Sequence, residues 1–477
     1  MELERLARAL GPVEVVNPAA VDVRELAYDA RTVEPGTLFF CVPGARADGH
    51  DFAAEALASG AVALVVERAL DLPVPQLRVA DARAAMPRAA VAFFGDPTAE
   101  LAVAGVTGTN GKTTTAFLLY AVLEEAGRRP GLLGTVECRV GGERRAVQRT
   151  TPEAIDLQRT FREMLDAGDR SCAIEASSHA SALGRLDGTR FAALVFTNLS
   201  QDHLDFHGTM DEYYEAKRRL FGTWPAAVNV GDHWGRRLAE ELRGGGAELV
   251  TFGFADDADL RPEGLELTPA GARFRAGGLD LSTGLRGRFN VENVLGALAA
   301  ARLLGLEDAA VARGIASVSG VPGRFEAVDE GQPFAVIVDY AHTPEALDNV
   351  LRSARELASG RVICVFGCGG DRDRGKRPLM GLAAASLADH VLVTSDNPRS
   401  EDPLAIIEEI LPGAPTAEVE PDRAAAIGRA IALATEGDVV LIAGKGHEQG
   451  QELADRKVPF DDRDVAREAL RRLGAPA

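Results

Sequence analysis

Apolar residues along the chain cluster into short runs, which alternate with longer stretches where apolar positions recur every three to four residues. The first pattern is typical of buried strands and the second of amphipathic helices. The predicted strands cover residues 36–42, 61–67, 101–106, 172–176, 193–197, 334–339, 361–366, 390–394 and 438–443. The predicted helices cover residues 112–126, 291–304, 344–357 and 422–434. Alternation of the two kinds of element favours an α/β fold with mostly parallel sheets.

Two clusters of turn-forming residues divide the chain, Gly-Asp-Pro at residues 95–97 and Val-Pro-Gly at residues 321–323. The chain has 477 residues, more than a single hydrophobic core usually organises. We therefore predict three domains, residues 1–98, 99–322 and 323–477. A run of three glycines at residues 244–246 indicates a loop within the second.

The composition of the chain argues against several classes of function. Apolar residues make up 46% of the chain and charged residues 26%, as in ordinary globular proteins. The formal net charge of −19 lacks the basic footprint of a nucleic-acid binder, so no nucleic-acid partner is expected. No apolar run is long enough to span a membrane, and the charged N-terminus lacks the order of a signal peptide. Five cysteines without a CxxC pair favour a reducing cytoplasm and disfavour a zinc site.

A glycine-rich segment, residues 105–114, follows a predicted strand and opens a predicted helix. Backbone N–H groups of such a turn converge on phosphate oxygens, Lys112 can reach the β- and γ-phosphates, and Thr113 can bind Mg²⁺. The usual spacing places a glycine where this chain has Val106, and the nearest glycine is Gly105. The alternative is an ordinary glycine-rich turn. Kinases, GTPases, motors and ligases all use phosphate loops, and the guanine motif of a GTPase is absent from the sequence.

Further polar clusters follow the predicted strands, where open α/β sheets bind their ligands. Glu175 ends one strand, and its carboxylate suits Mg²⁺. Residues 197–207 follow the next strand and contain Asp202, His203, Asp205 and His207, which indicate a second cation position or a solvated loop. Lys217, taken alone, is typical of a lysine on the surface of a helix.

Ten motifs in order resemble those of the Mur ligase family, in the branch that adds the third residue of the cell-wall peptide precursor. They occupy residues 108–114, 175–179, 197–205, 214–217, 289–293, 322–326, 339–344, 367–378, 396–399 and 444–448. The resemblance implies an N-terminal domain for the UDP-linked substrate, a central ATPase and a Rossmann-like C-terminal domain for the amino acid.

The resemblance also implies the reaction, a carbon–nitrogen ligation in cytoplasmic peptidoglycan synthesis. ATP would phosphorylate the carboxylate of UDP-N-acetylmuramoyl-L-Ala-D-Glu, and the amine of an amino acid would displace phosphate from the acyl phosphate. Two anions react in the first step, so Lys112 and Mg²⁺ ions are expected between them. A monomer is expected.

By the same resemblance, Lys217 is carbamylated, and it joins Glu175 and His203 around one Mg²⁺ while Thr113 binds the other. An unmodified lysine would repel the metal. These residues and Lys112 form the expected catalytic set. The expected ATP-binding residues are Gly108, Thr109, Asn110, Gly111, Lys112, Thr113, Thr114, Asn293, Arg324, Asp339 and His342.

For the nucleotide sugar, the resemblance implies contacts from turns near residues 29–31 and 44–49 and from the central domain. The expected residues are Ala30, Ala45, Asn110, Thr150, Thr151, Ser177 and Arg185. The chain departs from some family members at Ala30, where they have serine, and at Leu183, where they have glutamine. Those two side-chain contacts are in question.

The incoming amino acid in this family is usually meso-diaminopimelate or L-lysine, which differ by a distal carboxylate. Arginine binds carboxylates in a bidentate way, and Arg399 resembles the reader of diaminopimelate-adding members. Its alternative is a solvated arginine in a turn. The expected amino-acid-binding residues are Arg372, Asp396, Asn397, Pro398, Arg399, Gly444 and Glu448, with Glu448 suited to the distal ammonium.

Three functions compete with diaminopimelate ligation. One is that of a lysine-adding enzyme of the same branch. Another is that of a ligase like folylpolyglutamate synthetase, a relative that lacks the N-terminal nucleotide-sugar domain. The third is that of a nucleotide-dependent switch, which would not need the clusters at residues 396–399 and 444–448.

Overall fold

A computed structural model describes residues 1–11, 13–44, 47–268 and 270–474. The chain forms two compact units: the first contains Met1–Gly105 and Gly127–Leu194, and the second contains Val106–Ala126 and Val195–Ala477. Within the described residues, no helix is both long enough and apolar enough to cross a membrane.

The helices are α1 (Leu3–Leu10), α2 (Ala53–Ala58), α3 (Ala82–Phe94), α4 (Lys112–Glu125), α5 (Ala154–Asp166), α6 (Ser178–Ala182), α7 (Leu204–His207), α8 (Met210–Arg218), α9 (His233–Leu242), α10 (Arg288–Leu303), α11 (Asp308–Ser317), α12 (Pro344–Leu357), α13 (Lys376–Leu387), α14 (Pro403–Ile410), α15 (Arg423–Leu433) and α16 (Asp462–Gly474). The strands are β1 (Glu14–Val16), β2 (Glu25–Ala27), β3 (Thr37–Phe40), β4 (Ala61–Val66), β5 (Gln76–Arg78), β6 (Ala102–Thr107), β7 (Pro130–Leu133), β8 (Cys138–Val140), β9 (Glu143–Arg145), β10 (Ser171–Glu175), β11 (Phe191–Phe196), β12 (Ala226–Asn229), β13 (Leu249–Phe252), β14 (Glu263–Thr268), β15 (Gly271–Ala276), β16 (Leu279–Thr283), β17 (Glu326–Val328), β18 (Ala335–Asp339), β19 (Val362–Phe366), β20 (His390–Val393), β21 (Glu418–Val419), β22 (Val439–Ala443), β23 (Gly450–Glu452) and β24 (Lys457–Pro459).

The N-terminal part of the first unit is a five-stranded sheet of order β1-β5-β4-β3-β2. Strands β2 to β5 pair in parallel, and β1 joins the edge antiparallel. One face is covered by the apolar sides of α1 and α3, whose Leu6, Met86 and Ala89 are buried with Leu38. The alternation of apolar strands and amphipathic helices places this core where the sequence predicts it.

An eight-stranded sheet has the order β13-β12-β11-β6-β10-β7-β8-β9. The pairs β10–β7 and β12–β13 are parallel, whereas β7–β8 and β8–β9 are antiparallel. Strands β6, β10 and β11 are almost wholly buried, which fits their continuous apolar sequences. Their carboxyl ends carry the phosphate loop, Glu175 and residues 197–203.

The C-terminal part of the second unit is a six-stranded sheet of order β17-β18-β22-β19-β20-β21. All neighbours pair in parallel except β17, which lies antiparallel at the edge. Helices α12, α13 and α14 contribute to the core on one face, and α15 and α16 contribute to the core on the other. This is a doubly wound α/β arrangement, and its ligand edge lies at the carboxyl ends of β18, β19, β20 and β22.

Every predicted strand and helix is present, with bounds within three residues of the prediction. The largest difference is at α10, which begins at Arg288 rather than at residue 291 because Gly287, with φ of +88°, ends the preceding segment. The α/β class with mostly parallel sheets is therefore confirmed. The glycine run at residues 244–246 lies in a loop after α9, as predicted.

Candidate active site

The phosphate loop joins β6 to α4 and needs glycine at two positions. Gly108 and Gly111 have φ of +145° and +83°, which side chains other than glycine rarely adopt. A Cβ at Gly108 would overlap the Thr197 hydroxyl, and one at Gly111 would overlap the Asn293 amide. The two glycines therefore let the backbone of the loop approach Thr197 and Asn293 closely. The spacing of its glycines still departs from the usual phosphate-loop pattern at Val106.

The segment after β11 holds the loop in place. The Thr197 hydroxyl donates to the Asn110 carbonyl at 2.6 Å, and the Asn110 N–H donates to the Asn198 side chain at 2.8 Å. The Ser200 N–H donates to the Thr109 hydroxyl at 3.0 Å. Lys112 folds back over the loop, with its Nζ 2.8 Å from the Thr109 carbonyl. The predicted phosphate-binding residues are thus joined by hydrogen bonds within the second unit.

Lys217 is buried, contrary to the expectation for a surface helix lysine. Helix α8 begins with a capping box between Thr209 and Glu212, and it directs Lys217 inward with 1% of its surface exposed. The Lys217 Nζ donates to the Gly108 carbonyl at 2.7 Å. Burial and the charge of Lys112 lower the pKa of Lys217 well below its ordinary value.

Asp202 is a buried carboxylate among three basic side chains. Its oxygens lie 3.2 Å from His203 Nε2, 3.5 Å from Lys376 Nζ and 3.6 Å from His342 Nε2. Burial opposes ionisation, but His342, His203 and Lys376 together hold the pKa of Asp202 well below its usual range. His203 has φ of +55°, an uncommon conformation for a residue with a side chain.

The other acid and histidine of this segment lie apart from that cluster. Asp205 is exposed, and the ring of His207 stacks on Tyr213 with centroids 5.0 Å apart. Within the described ranges, no group of three or more His, Cys, Asp or Glu side chains is arranged to hold a metal ion.

Residues after 320 reach the phosphate loop inside the second unit. Arg324 Nη2 donates to the Thr113 hydroxyl at 3.0 Å, and its guanidinium lies over the Tyr340 ring. Arg324 Nη1 is buried and has no hydrogen-bond partner in the described chain. Glu345 Oε2 accepts from Asn110 Nδ2 at 3.4 Å.

Asn293 and Asp339 are held by the protein itself. The Asn293 amide donates to Asn290 at 2.9 Å and accepts from Thr115 at 3.4 Å. The Asp339 carboxylate accepts from the backbone of Phe325 at 2.6 Å and of Ala341 at 2.7 Å. Asn293 therefore braces the start of α4, and Asp339 shapes the turn that carries Arg324 and His342.

A separate polar cluster lies in the first unit, around Glu175. Its carboxylate accepts from the Thr135 N–H at 2.7 Å and from the Thr135 hydroxyl at 3.1 Å. The same hydroxyl lies 3.0 Å from that of Thr150. The Thr151 hydroxyl donates to the Glu175 carbonyl at 2.7 Å and lies 3.1 Å from the Ser177 hydroxyl.

Arg185 completes this cluster. Its guanidinium donates to the Thr151 carbonyl at 3.2 Å and pairs with Glu153 at 2.9 Å, while its buried Nε has no partner among the described residues. The structure thus brings together Glu175, Thr150, Thr151, Ser177 and Arg185. Thr135 and Glu153 were not predicted. Thr135 lies two residues after the end of β7. A polar residue just after a strand is the sequence signal that could have identified it.

The structure describes only part of the two turns predicted to contact the nucleotide sugar, near residues 29–31 and 44–49. Ala30 is buried at the start of a 3-10 turn, Ala30–Thr32, where Asp29 accepts from the Arg31 backbone at 3.0 Å. Ala45 lies outside the described residues. Leu183 follows α6 and its backbone N–H caps that helix.

Arg399 lies in the loop after β20 and is held from two sides. Its Nε donates to Glu452 at 2.9 Å, and its Nη1 donates to the Gly370 carbonyl at 2.8 Å. The residue has φ of +50°, and a quarter of its side chain is exposed. A freely solvated turn arginine would have neither fixed contact, so the geometry favours a positioned guanidinium.

The neighbouring predicted residues converge on the same edge of the sheet. Asn397 Nδ2 donates to Glu448 Oε2 at 2.8 Å. Gly444 has φ of +120°, and a Cβ there would meet the Asp396 carboxylate at 2.5 Å. Arg372 donates to the Asp371 carbonyl at 2.9 Å, and the Pro398 carbonyl closes a turn with Glu401. Lys445 is buried among Asp396, Asn397 and Glu448 but was not predicted; burial cannot be read from its glycine-flanked position.

The chain belongs to the Mur ligase family and is a ligase that forms carbon–nitrogen bonds. Residues 22–106 match "Mur ligase family, catalytic domain", residues 106–301 match "Mur ligase middle domain", and residues 323–446 match "Mur ligase, glutamate ligase domain". The family resemblance and the order of its three domains are confirmed. The boundaries at residues 98 and 322 stay predictions.

Full-length relatives carry a more specific name. A Solibacter usitatus protein named UDP-N-acetylmuramoyl-L-alanyl-D-glutamate--2,6-diaminopimelate ligase is 49% identical, over 98% of this chain and 97% of that protein. A Geobacillus thermodenitrificans protein of the same name is 46% identical over 99% of both. A solved structure of a ligase of that name has a TM-score of 0.68 at 32% identity, and the match covers 98% of this chain and 99% of that one.

Proposed function

We propose that the chain ligates meso-diaminopimelate to UDP-N-acetylmuramoyl-L-Ala-D-Glu at the expense of ATP, in peptidoglycan precursor synthesis. The observation that carries the proposal is the fixed guanidinium of Arg399 on the ligand edge of the C-terminal sheet. The names of the full-length relatives support the same substrate pair.

The proposed reaction consists of two successive displacement steps. A carboxylate oxygen of the nucleotide-linked peptide attacks the γ-phosphorus of ATP, and ADP leaves. The amine of the amino acid then attacks the acyl carbon, and phosphate leaves as the amide bond forms. Lys112 and Arg324 would offset the negative charge that gathers at the transferred phosphoryl group.

The residues near the phosphate loop fit Mg²⁺ if Lys217 carries a carbamate. As an ammonium, Lys217 would bury a second positive charge near Lys112. Its burial and lowered pKa favour the neutral amine, which adds CO₂ and loses a proton. The carbamate would then offer hard oxygen ligands to one Mg²⁺ and the Thr113 hydroxyl would offer one to the other, and His203 stays a predicted ligand of the first. Bound Mg²⁺ would neutralise phosphate charge. Glu175 stays a predicted ligand.

Diaminopimelate is favoured over L-lysine because its distal carboxylate matches the guanidinium of Arg399. The Nε and Nη1 atoms of Arg399 bind Glu452 and Gly370, and within the described residues its Nη2 is left for a ligand carboxylate. The carboxylate of Glu448 suits the distal ammonium. L-Lysine lacks that carboxylate, so it would not form the charge-assisted hydrogen bonds with Arg399, at a cost of about 1.5–3 kcal/mol.

Two further functions have less support from the structure. A folylpolyglutamate-synthetase-like ligase would not need the five-stranded N-terminal sheet. A nucleotide switch would not need Arg399, Asn397 and Glu448 arranged on one edge.

The test is phosphate release from ATP with Mg²⁺ and UDP-N-acetylmuramoyl-L-Ala-D-Glu, in three parallel reactions with meso-diaminopimelate, L-lysine or no amino acid. The proposal predicts release that depends on diaminopimelate. Release only with L-lysine would keep the class of enzyme and overturn the role of Arg399. Release indifferent to both amino acids would overturn the ligation itself.

A further inference from the structure

Lysine is scarce in this chain, and its placement is selective. The 52 basic residues include only five lysines, Lys112, Lys217, Lys376, Lys445 and Lys457. Arginine therefore fills almost every position where a solvated cation suffices. Four of the lysines lie at the candidate active site, and only Lys457 is exposed. A buried lysine in such a chain marks a place where a compact ammonium is needed rather than a planar guanidinium.

Lys445 is the most deeply buried of them, with no exposed surface. Its Nζ donates to the Asn397 side-chain oxygen at 2.6 Å and to the Gly450 carbonyl at 3.0 Å. The same nitrogen lies 3.4 Å from Asp396 Oδ1 and 3.7 Å from Glu448 Oε2. Removing an ammonium from water costs several kcal/mol, so four oxygen atoms around one nitrogen indicate a built site.

The contacts of Lys445 fix the orientation of Asn397. Because the amide oxygen of Asn397 accepts from Lys445 and from the Glu452 N–H at 3.0 Å, its nitrogen must point to Glu448. Without Lys445 the amide could rotate, and the Glu448 carboxylate would lose two partners.

The charges around Lys445 also suit an ammonium ligand. One lysine cation faces the two carboxylates of Asp396 and Glu448, which leaves one net negative charge. The nearby buried cation Arg423 is already neutralised by Asp462 at 2.7 Å. Lys445 thus offsets the repulsion between the two acids and leaves the remaining charge for the substrate.

We propose that Lys445 is a positioning residue for the amino-acid substrate, holding Asn397 and Glu448 in the arrangement that binds its distal ammonium-bearing end. This inference rests on the proposed function, because it assigns Lys445 a part in that reaction. Lys445 itself need not touch the substrate.

The test compares Lys445→Met, which keeps the length but removes the charge, with Lys445→Arg and with the exposed control Lys457→Met. The KM for meso-diaminopimelate, ATP and the UDP-linked peptide would be measured for each, together with thermal unfolding. Lys445→Met should raise the KM for diaminopimelate about tenfold or more, the size of one lost charge-assisted hydrogen bond. The other two KM values should change less than about twofold on that reasoning. Lys445→Arg should show the same selective loss, and Lys457→Met should match the wild type.

A second comparison keeps the inference testable if Lys445→Met does not fold. Glu448→Gln would be combined with Lys445→Arg, and the combined effect on the KM for diaminopimelate should be smaller than the product of the single effects. Equal rises in all three KM values, or multiplicative effects in the double variant, would overturn the inference. A wild-type enzyme that ignores diaminopimelate would overturn the proposed function instead, and the wild-type reaction shows this separately.

Discussion

Lys217 illustrates how burial decides the chemistry of a single side chain. In sequence it follows two tyrosines and a glutamate and precedes two arginines, a pattern typical of a solvated helix face. In the structure it lies beneath the phosphate loop, and its ammonium form would be repelled by Lys112. Among the sequence signals, only the family resemblance indicates its role, because helical spacing alone does not tell which loop covers a residue.

Replacing Lys217 with alanine should remove the carbamate, and with it an oxygen ligand of the Mg²⁺ ion that is proposed to assist phosphoryl transfer. We expect kcat to fall by about 10²-fold or more, as for loss of one preorganised electrostatic group. A short carboxylic acid that fills the gap should restore part of the activity. The measurement is steady-state phosphate release with and without acetate or propionate, and Lys457→Ala serves as the surface control. Full activity of Lys217→Ala without any additive would contradict the carbamate.

The connection between β6 and α4 depends on backbone conformation more than on any side chain. The sequence predicts the strand, the helix and the glycine-rich turn because each has a local pattern. It does not predict that Asn293, from α10, lies against Gly111, because that contact joins residues far apart in the chain. The antiparallel strands β14, β15 and β16 were also not predicted, since most of β14 is exposed and lacks an apolar run.

Replacing Gly111 with alanine should destabilise this connection. The residue has φ of +83°, and its new Cβ would displace the Asn293 amide, so we expect a loss of about 1–3 kcal/mol in the free energy of unfolding. The KM for ATP should rise as well. Gly244→Ala is the matched control, because no atom lies within 4 Å of a Cβ there, and its effect should stay within about 0.5 kcal/mol. Urea unfolding measures both, and equal stabilities would contradict the account of the loop.

Across the chain, the sequence predicts which segments carry chemistry but not which of them meet. The strand pattern correctly places the phosphate loop, Glu175 and the loop of Arg399 at the carboxyl ends of their strands. The pairs Arg324–Thr113 and Lys376–Asp202, separated by 211 and 174 residues, follow only from the tertiary packing of the second unit. The buried roles of Asp202 and Lys445 have the same origin, since burial is a property of the folded chain.

A competition between two substrates tests most directly which amino acid the enzyme adds. The enzyme would receive ATP, Mg²⁺ and UDP-N-acetylmuramoyl-L-Ala-D-Glu with equal concentrations of meso-diaminopimelate and L-lysine, and the products would be separated by mass. The carboxylate contact of Arg399 predicts that the diaminopimelate tripeptide exceeds the lysine tripeptide by about 10²-fold or more. An excess of the lysine product would contradict that contact and the specificity derived from it.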